Sequence, residues 1–245
     1  KRQSRPVKLN RYYDDIPDTL QNRNFQIQTL IKFLDYFPVP QLYVEGSEAD
    51  DVIGYLCKYR FKSRPKVIVS SDHDYYQLLD KMTVLYSPTL KDFVGEDYVI
   101  NKYGIHPQNF ALAKAIVGDK SDNIPGVPGV GFKTLAKEYG DLFLDPNFDA
   151  NRKILFEKNF IKMGNSKKKI YRNINEKKDM IERNFQVINL DVGNLAHYQT
   201  NKIEQKLENS KKTYDNINIH KLLNENAINS IDIYNTKIIY NRLLR

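Results

Sequence analysis

The sequence predicts an α/β fold: a parallel sheet with helices on its faces, followed by a region made of helices and turns. Three observations predict it. Short β-branched runs alternate with amphipathic runs between residues 37 and 116. From about Gly118 onward that alternation stops, and glycine-proline turns separate helical patterns. The last stretch, rich in Asn, Lys and Ile, carries helical spacing without strand signals.

The elements follow in order. In "TLQNRNFQIQTLIKFLDYF", Ile27, Leu30, Ile31 and Leu34 fall on one helical face. "PVPQLYVEG" reads as a short strand ending at a turn, and "SEADDVIGYLCKYRF" as a helix with Ser47 as candidate N-cap. "PKVIVSSDHD" is a buried strand, "YYQLLDK" a short helix and "MTVLYSP" another strand. "GEDYVINKYG" and "PQNFALAKAIVG" are helical, as are "INIHKLLNENAI" and "IYNTKIIYNRLL" in the tail. The chain divides into 1–36, a basic segment and helix; 37–116, the sheet-bearing part; 117–180, a helix–hairpin–helix region; and 181–245, a helical tail.

Composition narrows the function. The 245 residues carry a net charge of +8, which favours a polyanionic partner, nucleic acid before membrane. A lysine-rich solvated surface explains the charge equally well when charge is taken alone. One cysteine, Cys57, excludes an intrachain disulfide and a cysteine-built zinc cage, and points to a reducing, intracellular setting. That setting is the cytoplasm, a host cytoplasm if the source is viral, or a DNA-containing organelle. No apolar run approaches the ~20 residues of a membrane span.

Carboxylates gather at three places: Glu48, Asp50 and Asp51 after "QLYV", Asp72 and Asp74 after "VIVS", and Asp119 and Asp122 after "ALAKAIVG". Ligand crevices in open α/β sheets lie beyond the carboxyl ends of strands. Asp72 and Asp74 project together from an extended backbone, and Asp119 and Asp122 would lie one turn apart on a helix. Each pair alone has an ordinary reading as a dipole or turn device. Convergent, they repel unless cations compensate. Oxygen-only donors fit two Mg²⁺ or Mn²⁺ ions, the arrangement that serves phosphodiester hydrolysis. Asp14 and Asp15 lie outside this layout.

"GVPGVG", Gly126 to Gly131, allows a tight hairpin with accessible backbone amides. The helix starting near Phe132 would present its N-terminus and Lys133 to the same space, an anion site. The alternative is a plain αα-hairpin.

"EGSEADDVIGYL", "VIVSSDHDYYQLL" and "AIVGDKSDNIPGVPGVGFKTLAKEYG", in this order, closely resemble the 5′-3′ exonuclease/flap endonuclease family. The strong match runs from Val44 to Gly140, with a weaker extension at "ERNFQVINLDV". The resemblance implies a PIN-like α/β domain and a helix-three-turn-helix DNA clamp. It also implies two-metal hydrolysis of DNA or RNA–DNA with a 5′ flap, nick or RNA primer, in replication or repair. It assigns Glu48, Asp50, Asp72 and Asp74 to the first metal, and Asp51, Asp119 and Asp122 to the second, some through water. It gives Gly126, Gly129, Gly131 and Lys133 to the duplex-gripping hairpin, with a monovalent cation such as K⁺ between backbone and phosphate. His73 stands where a glycine is frequent in the family, and is expected to face substrate.

"VKLNRYY" resembles the Lys-x-Asn-Arg run of the family's helical arch, which would make Lys8 and Arg11 substrate-contacting catalytic residues; a plain basic tail is the competing reading. The family's upstream strands and their acids are not in this sequence. A fragment, a split gene and a truncated homologue turned binder are the three explanations. The preferred expectation is a chain that is completed by an N-terminal partner or was cut from a longer protein, with weak activity or none alone. The second function class is a catalytically impaired, structure-specific DNA-binding module, and a PIN-type ribonuclease is a third.

Overall fold

The structure, a computed structural model, describes residues 19–210 and 213–243. The chain packs into two compact units: Val44–Gln199, and the chain up to Tyr43 together with that from Thr200 onward.

In the Val44–Gln199 unit, the sheet consists of β1 (Lys66–Val69), β2 (Thr83–Ser87) and β3 (Asp92–Val94) in the order β1-β2-β3. β1 runs parallel to β2, with Ile68 opposite Leu85, and β3 returns antiparallel, with Val94 opposite Leu85. β3 escapes sequence reading because three residues at a hairpin return give too short a pattern. Alternation puts Ile68, Leu85 and Val94 on one face, where all three are buried. Val67, Val69 and Phe93 belong to the other face and are 52%, 68% and 59% exposed. "VIVS" is therefore a half-buried strand, not the fully buried one its composition predicts. The "QLYV" segment forms no strand; among the described residues it has no neighbouring strand to satisfy its backbone groups.

Helices α2 (Ala49–Tyr55), α3 (Glu96–Tyr103), α4 (Phe110–Val117) and α5 (Phe132–Leu144) follow the sequence reading closely. Ser47 is not the cap of α2: Glu48 holds that position, and the Ser47 hydroxyl donates to the Val44 carbonyl at 3.1 Å. Beyond Tyr55 the helix loosens into a π turn, Leu56–Arg60. Every residue of α4 from Phe110 to Ile116 is buried, so this helix is the centre of the unit.

Helices α6 (Phe148–Asn165), α7 (Lys169–Glu176) and α8 (Lys178–Ile188) complete the unit, and α9 (His197–Glu208) crosses its boundary. Buried amides tie these parts together with their hydrogen bonds satisfied. Asn184 of α8 donates to the carbonyls of Ala115 (2.9 Å) and Pro125 (2.8 Å). Gln77 donates to the Ile188 carbonyl at 3.0 Å and accepts from the Leu190 amide at 2.9 Å.

The other unit contains α1 (Leu20–Asp35), α10 (Asn216–Glu225) and α11 (Ile233–Leu243). The Thr19 side chain caps α1, accepting from the Asn22 amide at 3.2 Å. Phe37, Ile219, Leu223 and Ile233 form its core, with Phe33 and Tyr214 against them. The face predicted for α1 is not the buried one: Ile27, Leu30 and Ile31 are 56%, 55% and 48% exposed. Phe33 near the end of α1 and Phe37 just after it make the contact with that core instead.

Candidate metal centre

Three separate segments deliver carboxylates to one place. The Asp50 carboxylate comes from the first turn of α2, where an acid is favoured by the helix dipole. Asp72 and Asp74 come from the start of a 3₁₀ turn, His73–Leu78, that follows β1. Asp119 and Asp122 come from the loop after α4.

The local geometry differs from a plain extended pair. Asp72 caps the turn, its carboxylate accepting from the Asp74 amide at 2.9 Å. Asp119 and Asp122 are not one helical turn apart. Gly118 takes φ +83°, and Asp119 and Ile124 exchange backbone hydrogen bonds of 2.9 and 2.7 Å, folding the loop into a small closed turn. Asp119, Asp122 and Asp74 converge through that turn.

The result is two carboxylate groups with one shared member. Asp50, Asp72 and Asp74 have oxygens within 4.8 Å of one another, and so do Asp74, Asp119 and Asp122. Glu48 and Asp51 belong to neither group. Glu48 is exposed at the α2 N-cap, and Asp51 accepts from the Asn194 side chain at 2.9 Å. Lys8 and Arg11 lie outside the described residues.

Several polar groups hold the acids in position. The Tyr75 hydroxyl donates to Asp50 at 2.5 Å, and burial, that hydrogen bond and the Asp50 charge all push the tyrosine upward. Lys114 projects from the apolar helix α4 and is only 9% exposed at its side chain. Its ammonium pairs with Asp74 and, at 2.5 Å, with Asp119. Burial alone would raise the Asp119 carboxyl. Hydrogen bonds from Lys114 and from the Ser121 hydroxyl and amide outweigh it and hold that carboxyl well below the usual range. His73 stacks on Tyr76, with ring centroids 4.8 Å apart, and is exposed; burial of part of its ring and the Lys102 charge lower its pKa.

Sequence reading missed Lys114, Tyr75 and Asn194. Lys114 left a signal, since a single charge inside "FALAKAIV" is costly unless paired. The other two left none, because a tyrosine and an asparagine are ordinary at any position.

Beside the acids lies the hairpin. Its four predicted members divide into two kinds. A Cβ on Gly126 would meet the Val117 carbonyl oxygen at 1.8 Å, so this glycine exists to let two backbone segments touch. At Gly129 and Gly131 a Cβ would meet nothing within 4 Å. Gly129 takes φ +77°, and Gly131 is the N-cap of α5. Lys133 is exposed in the first turn of α5, where helix amides lack intrahelical partners.

Both acid groups are made only of carboxylate oxygens, without Cys or His, a donor set that fits hard divalent cations. Lys114 pairs with two of these five carboxylates, Asp74 and Asp119.

Comparison with known proteins adds the family context. Residues 2–104 match the family described as 5′-3′ exonuclease, N-terminal resolvase-like domain. A 5′-3′ exonuclease of Aquifex aeolicus is 38% identical over 130 residues, covering 51% of this chain and 44% of that protein. A DNA polymerase I of Caldicellulosiruptor bescii is 39% identical over 137 residues, 52% of this chain and 16% of the polymerase. The chain thus spans less than half the length of these relatives. A T5 5′-exonuclease structure with bound zinc superposes with a TM-score of 0.60 at 22% identity, covering 78% of this chain and 70% of that one. A bacteriophage T5 flap endonuclease variant with DNA and metal ions superposes with a TM-score of 0.54 at 21% identity, over the same shares. These likenesses establish the fold. No helix among the described residues is long and apolar enough to cross a membrane.

Proposed function

Because residues 2–104 match the 5′-3′ exonuclease family, we propose that the chain takes part in divalent-metal-dependent hydrolysis of DNA or RNA–DNA carrying a 5′ end, as exonuclease and 5′-flap endonuclease. The observation that carries this reading is the sharing of Asp74 between two carboxylate groups drawn from three separate segments. Asp50, Asp72 and Asp74 would hold one Mg²⁺ or Mn²⁺ ion, and Asp74, Asp119 and Asp122 the second. Asp51 and Glu48, flanking Asp50 in the chain, act as outer partners. Bound there, such ions supply an activated water and stabilise the leaving oxygen of an in-line displacement.

The chain's own residues do the rest. Tyr75 fixes Asp50 before any ligand arrives, which lowers the reorganisation needed there, and Lys114 compensates the charge of Asp74 and Asp119. Gly129, Gly131 and the N-terminal amides of α5 offer a phosphate seat, Lys133 adds charge, and a monovalent cation such as K⁺ held there would add more. Lys8 and Arg11 are proposed to contact the substrate near the scissile phosphate.

Among the described residues β1 pairs with β2 alone, so its other edge suits additional strands, and full activity is proposed to need a segment or partner polypeptide that supplies them. Isolated, this chain is therefore expected to cleave a 5′-flap duplex with Mg²⁺ only weakly, while still binding it. Gel analysis of a labelled flap, with single-stranded RNA in parallel, checks this. Preferential cleavage of the RNA would favour a ribonuclease and sink the proposal.

Lys133→Ala should weaken duplex binding evenly across sequences and reduce the slope of log affinity against log salt by about one. Fluorescence anisotropy at several salt concentrations reads both. A sequence-dependent loss would rule out the phosphate seat.

A further inference from the structure

The two acid groups are not equivalent, and the difference is one side chain. Lys114 pairs with two members of the second group, Asp74 and Asp119, but with only the shared Asp74 of the first, where the neutral Tyr75 hydroxyl contacts Asp50. The lysine rises from the buried helix α4 and its side chain is 9% exposed, so its ammonium is held against the carboxylates it pairs with. A dication entering Asp74, Asp119 and Asp122 must meet that positive charge or push it aside. A dication entering Asp50, Asp72 and Asp74 meets it only across the shared Asp74 carboxylate.

We propose that Lys114 is a positioning residue that makes the two cation sites fill in order: Asp50/Asp72/Asp74 first, and Asp74/Asp119/Asp122 only weakly until a phosphodiester draws the ammonium away from the carboxylates. A lysine head has three donors on a flexible stem and turns readily from carboxylate to phosphate. Lys114 thereby couples the second cation to bound nucleic acid, and keeps the acids compensated when neither is present. This inference rests on the dication reading of the site given above.

The test is Mn²⁺ binding to the full chain in the absence of nucleic acid, followed by the electron paramagnetic resonance signal of the unbound ion. The unsubstituted chain should bind one ion, with the second at least about tenfold weaker, as expected for a like charge in the site. In Lys114→Met the second site should tighten about tenfold or more while the first changes little. Asp122→Asn added to Lys114→Met should remove the gained site. Lys114→Arg, which keeps the charge, should retain the weak second site, and Lys114→Gln, which keeps a hydrogen-bond donor, should behave as Met does even if Met unfolds the chain. A second affinity equal in the unsubstituted, Met and Gln proteins, with the first site intact, would overturn this inference and leave the dication reading standing. No Mn²⁺ binding by the unsubstituted chain, or binding indifferent to Asp74→Asn, would overturn the dication reading and this inference with it.

Discussion

Asp74→Asn is expected to cost more activity than any other single substitution in the chain. Asp74 is the one carboxylate common to both groups, so its loss weakens both cation sites together. It also leaves Lys114 paired with Asp119 alone. Metal coordination contributes several kcal/mol to phosphodiester hydrolysis, and each ~1.4 kcal/mol is a factor of ten in rate. Whatever Mg²⁺-dependent cleavage the unsubstituted preparation shows should therefore fall about a thousandfold or to background. Flap binding measured with chelator present should stay within about twofold, since the hairpin and Lys133 make the phosphate contacts and are untouched. The substitution is isosteric, and circular dichroism should report an unchanged fold. A DNA-binding module without catalysis would respond differently: removing a carboxylate would change neither cleavage nor, beyond a small electrostatic gain, binding. Asp74→Asn with cleavage unchanged would remove the enzymatic reading.

How much of this site could be read in the sequence depends on what each residue had to do. Asp72 and Asp74 were legible because they follow a real strand, β1, and Asp119 and Asp122 because they adjoin a glycine loop. Asp50 was legible only through a strand, "QLYV", that does not form; it comes instead from the first turn of α2. The route by which the five converge was not legible. Asp119 and Asp122 meet Asp74 through a closed turn at Gly118 and Ile124, which depends on a positive φ that sequence spacing does not report. Helical spacing placed α1 and α4 correctly, yet the buried face of α1 was misread. Periodicity registers Ile27, Leu30 and Ile31 as a stripe, whereas Phe33 and Phe37 make the contact. Likewise a β-branched run identified β1 but could not tell that Val67 and Val69 face outward, because composition does not reveal which sheet face is covered.

Gly126→Ala is expected to have the largest effect on stability. Gly118 and Gly126 pack backbone to backbone. A Cβ on Gly126 would lie 1.8 Å from the Val117 carbonyl oxygen and 2.9 Å from the Gly118 amide nitrogen, and neither is a side-chain end that can move aside. Relief requires parting the loop from the end of α4. That would break the hydrogen bond from the Val127 amide to the Ile116 carbonyl (2.7 Å) and the Asn184 contact with the Pro125 carbonyl. Such a backbone clash in a core contact costs about 3 kcal/mol or more, a fall in melting temperature of roughly 10 °C for a chain of this size. Gly131→Ala should change stability by less than about 0.5 kcal/mol, having open space around it and an extended backbone. Gly129→Ala should cost about 1 kcal/mol, the strain of an L side chain at positive φ. Urea unfolding of the three variants gives the order directly. Equal losses at Gly126 and Gly131 would mean that the hairpin does not close on α4 as described. The same order decides how binding data are read: a loss of DNA affinity in Gly126→Ala follows from displacing the whole loop with its two aspartates, whereas a loss in Gly131→Ala, with the fold intact, reports contact between that backbone and phosphate.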